Sequence, residues 1–450
     1  MRILTLALSL PLLADAAAAQ EGSVAIRAGT ILTEDGAAVE DGTLVVVGGR
    51  ISAVGGADVE VPFDVILHEH PEATVFSGFH EAHTSGGLDR ANENVPIAPF
   101  LDVRDSIDPV SFFFEDELRN GTVALGVIPG NNCVIGGRGR VLAPAGLTVE
   151  EMTLAPGMGM KLSFGPRGGW SRGSQLAELR EAMAALQDAL ERKGQELVDR
   201  DAERADRKKA GEEVEEVSGR SGNDRDEAGG FVRYGADFPG KSLISEEDVD
   251  EVQRGLVSIL NGEERLWLWC PEPSDVLNAR DWASEQQLLP QVVFVVSAAC
   301  WKVADALQKA ARPVVLQGEL WHVERDPVTW EEKRKFAPQV FHDAGLSFAI
   351  GSEKGRMGPD RLAYQAAACV REGLPRGVAL AAVTSAPAAA WGLQDRLGKL
   401  AVGADGSFVI LDGDPLDAGS KVLEVWIRGR RVYERSSDER LQRLLEGKRP

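Results

Sequence analysis

The chain is 450 residues long, 44% hydrophobic and 26% charged, enough to bury a full-sized core in two domains or in one barrel with an accessory domain. A formal net charge of −21 argues against nucleic acid or an anionic membrane surface as a partner. The four cysteines, Cys133, Cys270, Cys300 and Cys369, are scattered, make no CxxC pair or zinc-knuckle spacing, and read as buried small apolar residues.

The first element in chain order is a secretory signal peptide over residues 1–19. Arg2 supplies the basic start, Ile3 to Leu13 the apolar run, and Ala17-Ala18-Ala19 the small-residue cleavage site before Gln20. That run is too short to span a bilayer, and no later stretch is long and apolar enough for a membrane helix. An exported protein, periplasmic or secreted, is expected.

From Ser23 to Val75 short alternating strands follow one another: Val24 to Arg27, Gly42 to Val47 and Arg50 to Val54, with Asp35-Gly36 and Gly48-Gly49 as turns. The C-terminus repeats this texture in Gly406 to Leu411 and Val422 to Ile427. These ends predict one composite β-sandwich built from residues 20–76 and 397–436. The middle, residues 77–396, alternates apolar strands with helices. Thr122 to Ile128, Leu266 to Trp269, Val292 to Val296, Pro313 to Gln317 and Leu346 to Ile350 read as strands; Val303 to Ala311 and Arg361 to Glu372 read as helices. An α/β fold is predicted, a TIM-like (β/α)8 barrel whose reactive end lies at the C-terminal ends of the strands. Residues 175–230 form a charged helical insertion, apolar at first (Leu176, Leu179, Met183, Leu186, Leu190). It then becomes rich in Asp, Glu, Arg and Lys, and its Ser218 to Gly230 end reads as a mobile linker. A solvated insertion outside the barrel is expected there.

Three fragments carry a family resemblance. Ala28-Gly29-Thr30-Ile31-Leu32-Thr33 with Val45 to Ile51 is similar to the opening strands of amidohydrolases. Ser77-Gly78-Phe79-His80-Glu81-Ala82-His83-Thr84-Ser85 resembles the first barrel-strand signature, Pro-Gly, two hydrophobic residues, then Asp-x-His-x-His. The closing stretch, from Thr384-Ser385-Ala386-Pro387 through Gly398-Lys399-Leu400 and Val402-Gly403-Ala404-Asp405 to Asp412-Gly413-Asp414-Pro415, resembles the family's ending. The nearest look is the imidazolonepropionase-like branch, through Ile128 to Asn132, Ile135 to Gly139 and Met160 to Gly165. The glycine-rich Ile135 to Gly139 lacks the features of a phosphate loop and reads as a tight loop capping the barrel.

The resemblance implies hydrolysis of non-peptide C–N bonds, such as cyclic amides, by one or two divalent metals. It also implies a ligand set of His-x-His on strand 1, a bridging carboxylated Lys or Glu near strand 4, a His on each of strands 5 and 6, and an Asp on strand 8. His83 fits the first position, but Ser85 stands at the second; His80 and Glu81 are not carried over as ligands. Trp269 is the best aligned residue on strand 5, and indole has no lone pair for a metal. Val295 to Cys300 offers no histidine on strand 6, and Glu353 replaces the strand-8 Asp as a metal ligand or catalytic base. Lys161 is the one lysine on a mid-barrel strand, where a solvated or salt-bridged side chain is expected over a carboxylated bridge. His322, with Glu319, could reach the mouth from strand 7. His68 and His70 belong to the sandwich edge, and Cys270 and Cys300 end neighbouring strands, where a disulfide or soft-metal pair is conceivable.

The leading expectation is therefore a catalytically silent or strongly altered homologue that carries no cofactor and binds a small-molecule ligand or a partner. The alternatives are a hydrolase with a single divalent metal, zinc by family, on His83, His322 and Glu353, and an assembly subunit pairing with a homologous, active chain in an oligomer.

Overall fold

The structure, a computed structural model, describes residues 22–33, 37–211, 230–235, 237–352 and 361–447. The strands begin with β1 (Val24–Leu32), β2 (Ala38–Val47), β3 (Arg50–Gly55) and β4 (Leu67–Phe76). Next come β5 (Phe79–Thr84), β6 (Thr122–Val127), β7 (Ile135–Leu142), β8 (Thr153–Ser163), β9 (Leu266–Cys270), β10 (Val292–Val296) and β11 (Val314–Gln317). The last are β12 (Trp321–Arg325), β13 (Glu332–Phe336), β14 (Phe348–Gly351), β15 (Phe408–Leu411), β16 (Val422–Ile427) and β17 (Arg430–Glu434).

Both ends of the chain build one seven-stranded sheet in the order β17-β16-β15-β4-β1-β2-β3. Strand β4 joins the halves, pairing parallel with β1 and antiparallel with β15. Gly48 and Gly49, at φ +56° and +78°, turn β2 into β3 through the left-handed backbone that a tight hairpin needs. Ile26, Leu44, Val46 and Ile51 meet Phe408, Ile410 and Trp426 in a core of the sheet's own. Phe76, Val409 and Val425 belong instead to the large core shared with the barrel. The His68–His70 pair lies on β4, with the His68 ring edge-on to Trp426 and His70 Nε2 4.0 Å from Glu424.

The barrel sheet runs β14-β11-β10-β9-β8-β7-β6-β5. The expected eight strands are there, with one departure: β7 is antiparallel to both β6 and β8, while the other pairings are parallel. The glycine-rich segment expected to be a capping loop is thus a barrel strand. Its glycines admit close neighbours, since a Cβ on Gly137 would stand 2.6 Å from the Leu101 carbonyl oxygen and one on Gly139 2.8 Å from that of Val127.

At the seam β5 and β14 do not pair with each other. His80 N–H donates to the Val383 carbonyl (2.9 Å) and Ile350 N–H to the Ala382 carbonyl (2.8 Å), so the turn at 382–383 bridges the gap. The helix Ser385–Trp391 closes the N-terminal end: Arg265, just before β9, donates to Ala390 O (3.1 Å), and Trp391 Nε1 to Ala82 O (3.0 Å).

The long helix Arg172–Lys209 starts at Ser171, whose hydroxyl accepts from Ser174 N–H. Its first half is not a solvated spur. Leu179, Leu186, Leu190 and Leu197 are buried in the main core, and the later, charged turns are exposed almost throughout. Apolar residues at helical spacing dock one face of the helix in the β8-to-β9 crossover, with charged residues on the other face, and past Leu197 no residue of the helix is buried. The expected linker at 218–230 falls almost wholly on residues 212–229, outside the described residues.

Candidate functional site

Strand register decides which side chains share the barrel interior. Lys161 on β8 is level with Trp267 on β9, and Ser163 with Trp269, so these four point the same way. Lys161 is fully buried, and its Nζ lies 2.8 Å from His83 Nε2 on β5. The His83 and Trp267 rings are 6.0 Å apart, and the Trp267 N–H donates to the Met158 carbonyl at 2.9 Å. Trp269 stands over the amine, its ring centre 5.9 Å from Lys161 Nζ. Deeper in, His80 packs 6.0 Å from Trp391 and its Nδ1 meets Gly78 O at 3.0 Å.

Burial sets the charge states. It lowers the Lys161 pKa to about 7 and that of His80 to about 4. His83 lies well below the usual histidine value, first through burial and then through the Lys161 charge. A neutral His83 accepting from Lys161 at Nε2 carries its proton on Nδ1, an atom that, like His80 Nε2, has no hydrogen-bond partner among the described residues. Glu81 faces the seam: its carboxylate accepts from Ser352 N–H (2.8 Å) and His83 N–H (3.3 Å), tying β14 to β5. Burial raises its pKa to about 8, opposed by the Ser352 hydrogen bond.

A cavity of about 1040 Å³ opens from the barrel mouth along the outer flank of β5. At the mouth it is lined by Ser85, Asn131, Trp269, Gln317 and Ser352, and farther out by Phe113, Glu117 and Tyr364. Asn131 Nδ2 lies 3.4 Å from Gln317 Oε1, and Asn131 Oδ1 is buried with no partner among the described residues. His83 and Lys161 do not line this cavity.

The residues expected from sequence are thus distributed unevenly. His83 is on the first barrel strand as read, and Ser85 sits above it at the mouth. Trp269 is inside the barrel, although the indole beside His83 is Trp267. His322 is on β12, its Nε2 3.3 Å from Glu324, and it does not line the cavity. Glu353 lies outside the described residues. Lys161 corrects the reading made of it: it is neither solvated nor salt-bridged, but buried with an imidazole as hydrogen-bond partner. Cys270 and Cys300 are free buried thiols, with Cys300 Sγ 3.3 Å from the Cys270 carbonyl. Sequence reasoning set Glu81 aside as a ligand and did not single out the Asn131–Gln317 pair. Glu81 had a signal, since it occupies the acidic place of the strand-1 pattern; the amides had none.

Among the described residues the donors do not fit a catalytic metal. Zinc takes three protein ligands and an open position for water. Here the His83 Nε2 lone pair is met by Lys161, the strand-5 position is indole, and Glu81 is committed to main-chain N–H groups. Among the described residues no group of three or more His, Cys, Asp or Glu side chains could hold a metal ion.

Comparison with known proteins agrees with the architecture. A family model described as the amidohydrolase family matches residues 348–433. Amidohydrolase tasK of Hapsidospora irregularis is 36% identical over 98 residues, 22% of this chain, and the chain spans only 10% of that relative's length. The crystal structure of an amidohydrolase from Thermotoga maritima MSB8 superposes with a TM-score of 0.69 at 20% identity, covering 92% of this chain and 100% of that one. An adenosine deaminase from Xanthomonas campestris with bound zinc gives 0.51 at 16% identity, covering 94% and 96%. The closing segment thus matches the amidohydrolase family model over residues 348–433, and the barrel with its composite sheet has the fold of the Thermotoga amidohydrolase.

Proposed function

We propose that this protein keeps the amidohydrolase barrel as a binding scaffold and does not carry out metal-dependent C–N bond hydrolysis. One observation carries the reading: Lys161 Nζ lies 2.8 Å from His83 Nε2 in a closed interior, so the nitrogen best placed for a metal faces an amine. Fold alone does not confer the chemistry, which needs an open metal position and a water to activate.

The mouth supports binding of a small polar molecule with a flat apolar part. Asn131 and Gln317 offer amide donors and acceptors, Ser85 and Ser352 surround them, and Trp269 supplies a broad face. In the same reading the protein is exported after cleavage near Ala19, and the ligand is met outside the cytoplasm.

Elemental analysis of untagged protein, purified without chelators, tests the proposal. Well under one equivalent of zinc, manganese or iron per chain is expected. A value near one equivalent, lost on His83→Ala, would overturn the proposal in favour of a single-metal hydrolase.

A further inference from the structure

The hairpin β12–β13 belongs to neither large sheet, so among the described residues each of its strands has one edge with no strand paired to it. Its register runs from Trp321 opposite Phe336 to Arg325 opposite Glu332. Main-chain bonds from Ala337 N–H to Leu320 O and from Asp326 N–H to Glu331 O, both 2.9 Å, set the parity of the ladder. In an antiparallel pair the hydrogen-bonded positions alternate. His322 and Glu324 therefore direct their main-chain groups toward β13, while Trp321, Val323 and Arg325 direct theirs outward. Among the described residues these three outward positions have no main-chain partner. The strand has no proline and no bulge, and Val323 is 45% exposed at its centre. Such an edge is a template for another strand.

We propose that β12 is a dimer edge, at which two copies of this chain pair antiparallel about a two-fold axis at Val323 and join their hairpins into one four-stranded sheet. The strand is complementary to itself in this register. Val323 meets Val323 of the second copy as a hydrogen-bonded pair, and Trp321 meets Arg325 on either side with matching parity. His322 then stands opposite Glu324, donor to acceptor, and Trp321 opposite Arg325, ring to guanidinium, each twice by symmetry. The other edge fails the same test. Pairing β13 with itself about Arg334 sets arginine against arginine and Lys333 against Lys335, so like charges guard it. A second copy is therefore the occupant that the charges of β12 select.

Two five-residue strands bury less than a standard interface, so the dimer should be weak, with a dissociation constant of roughly 10–100 μM. The charge of −21 on each chain opposes association, and moderate salt should strengthen it by screening.

Sedimentation velocity of the full mature chain, from about 1 to about 300 μM to bracket a weak interface of this kind, tests the inference. Val323→Pro removes an outward N–H and leaves the hairpin's own ladder intact; Arg334→Pro does the same on the opposite edge. Wild type and Arg334→Pro should pass from monomer to dimer with concentration, and Val323→Pro should stay monomeric. Val323→Lys, which sets two ammonium groups face to face on the axis, should weaken the dimer at least ten-fold and decides the matter if the proline variant misfolds. A wild type monomeric throughout, a dimer indifferent to Val323→Pro and Val323→Lys, or equal loss in Arg334→Pro would overturn the proposal.

Discussion

Two buried ionisable groups of the barrel, Glu81 and Lys161, should pull stability in opposite directions with pH. Glu81 titrates near 8 in the folded chain against 4.5 when free, so the folded state holds its proton more tightly. Its contribution is complete below about 4.5 and is lost as pH rises through about 8. Glu81→Gln should flatten that loss, gaining on the order of a few kcal/mol over wild type at pH 8 and little at pH 4, as read by urea denaturation. Lys161 is the reverse case. Its folded pKa of about 7 lies below the free value of 10.5, so the penalty of burying it grows as pH falls from 10.5 to 7. Lys161→Met, a replacement of similar length without the amine, should raise the melting temperature at pH 6 and change it little near pH 10.5. A lower melting temperature at pH 6 would mean that the bond to His83 outweighs the desolvation it relieves.

The elements give sharper contrasts. Strand β7 depends on glycine, and Gly137→Ala should cost about 2–3 kcal/mol because its Cβ would meet Leu101 O at 2.6 Å. Gly157, with nothing within 4 Å of its Cβ position, is the control and should accept alanine at under about 0.5 kcal/mol. In the helix Arg172–Lys209, Leu186→Ala should cost about 2–5 kcal/mol, and Glu203→Ala on the exposed later turns under about 0.5. Strands β6, β9, β10, β11 and β14 lie within a residue or two of where alternation and β-branching put them. Strand β7 was misread because Ile135-Gly136-Gly137-Arg138-Gly139 carries turn-forming glycines, and local propensity cannot register that a neighbouring main chain requires their missing side chains.

At the scale of the whole molecule, restoring one ligand should not restore a reaction. Ser85→His would return the second strand-1 imidazole, yet Lys161 would still face His83, and Trp267 and Trp269 would still occupy the interior. No metal-dependent hydrolysis above wild type is therefore expected in assays with zinc or manganese. Export is open to a separate check: protein recovered outside the cytoplasm should begin near Gln20, and N-terminal sequencing that returned Met1 would refute cleavage.

The order of apolar runs, the paired β-rich ends and the strand-1 and closing patterns were enough by themselves to define the barrel and its composite sheet. These are periodicities and spacings, carried locally along the chain. The same text showed that imidazoles were missing, since Ser85 and Trp269 can be read without coordinates. Contact across the barrel could not be read in that way. That Lys161 is buried against His83, that Glu81 ties β5 to β14, and that Asn131 meets Gln317 depend on residues 78 to 271 positions apart being brought together. A buried lysine is rare enough that sequence alone favours putting it in water, and only the packed barrel interior, where this one is fully buried, decides otherwise.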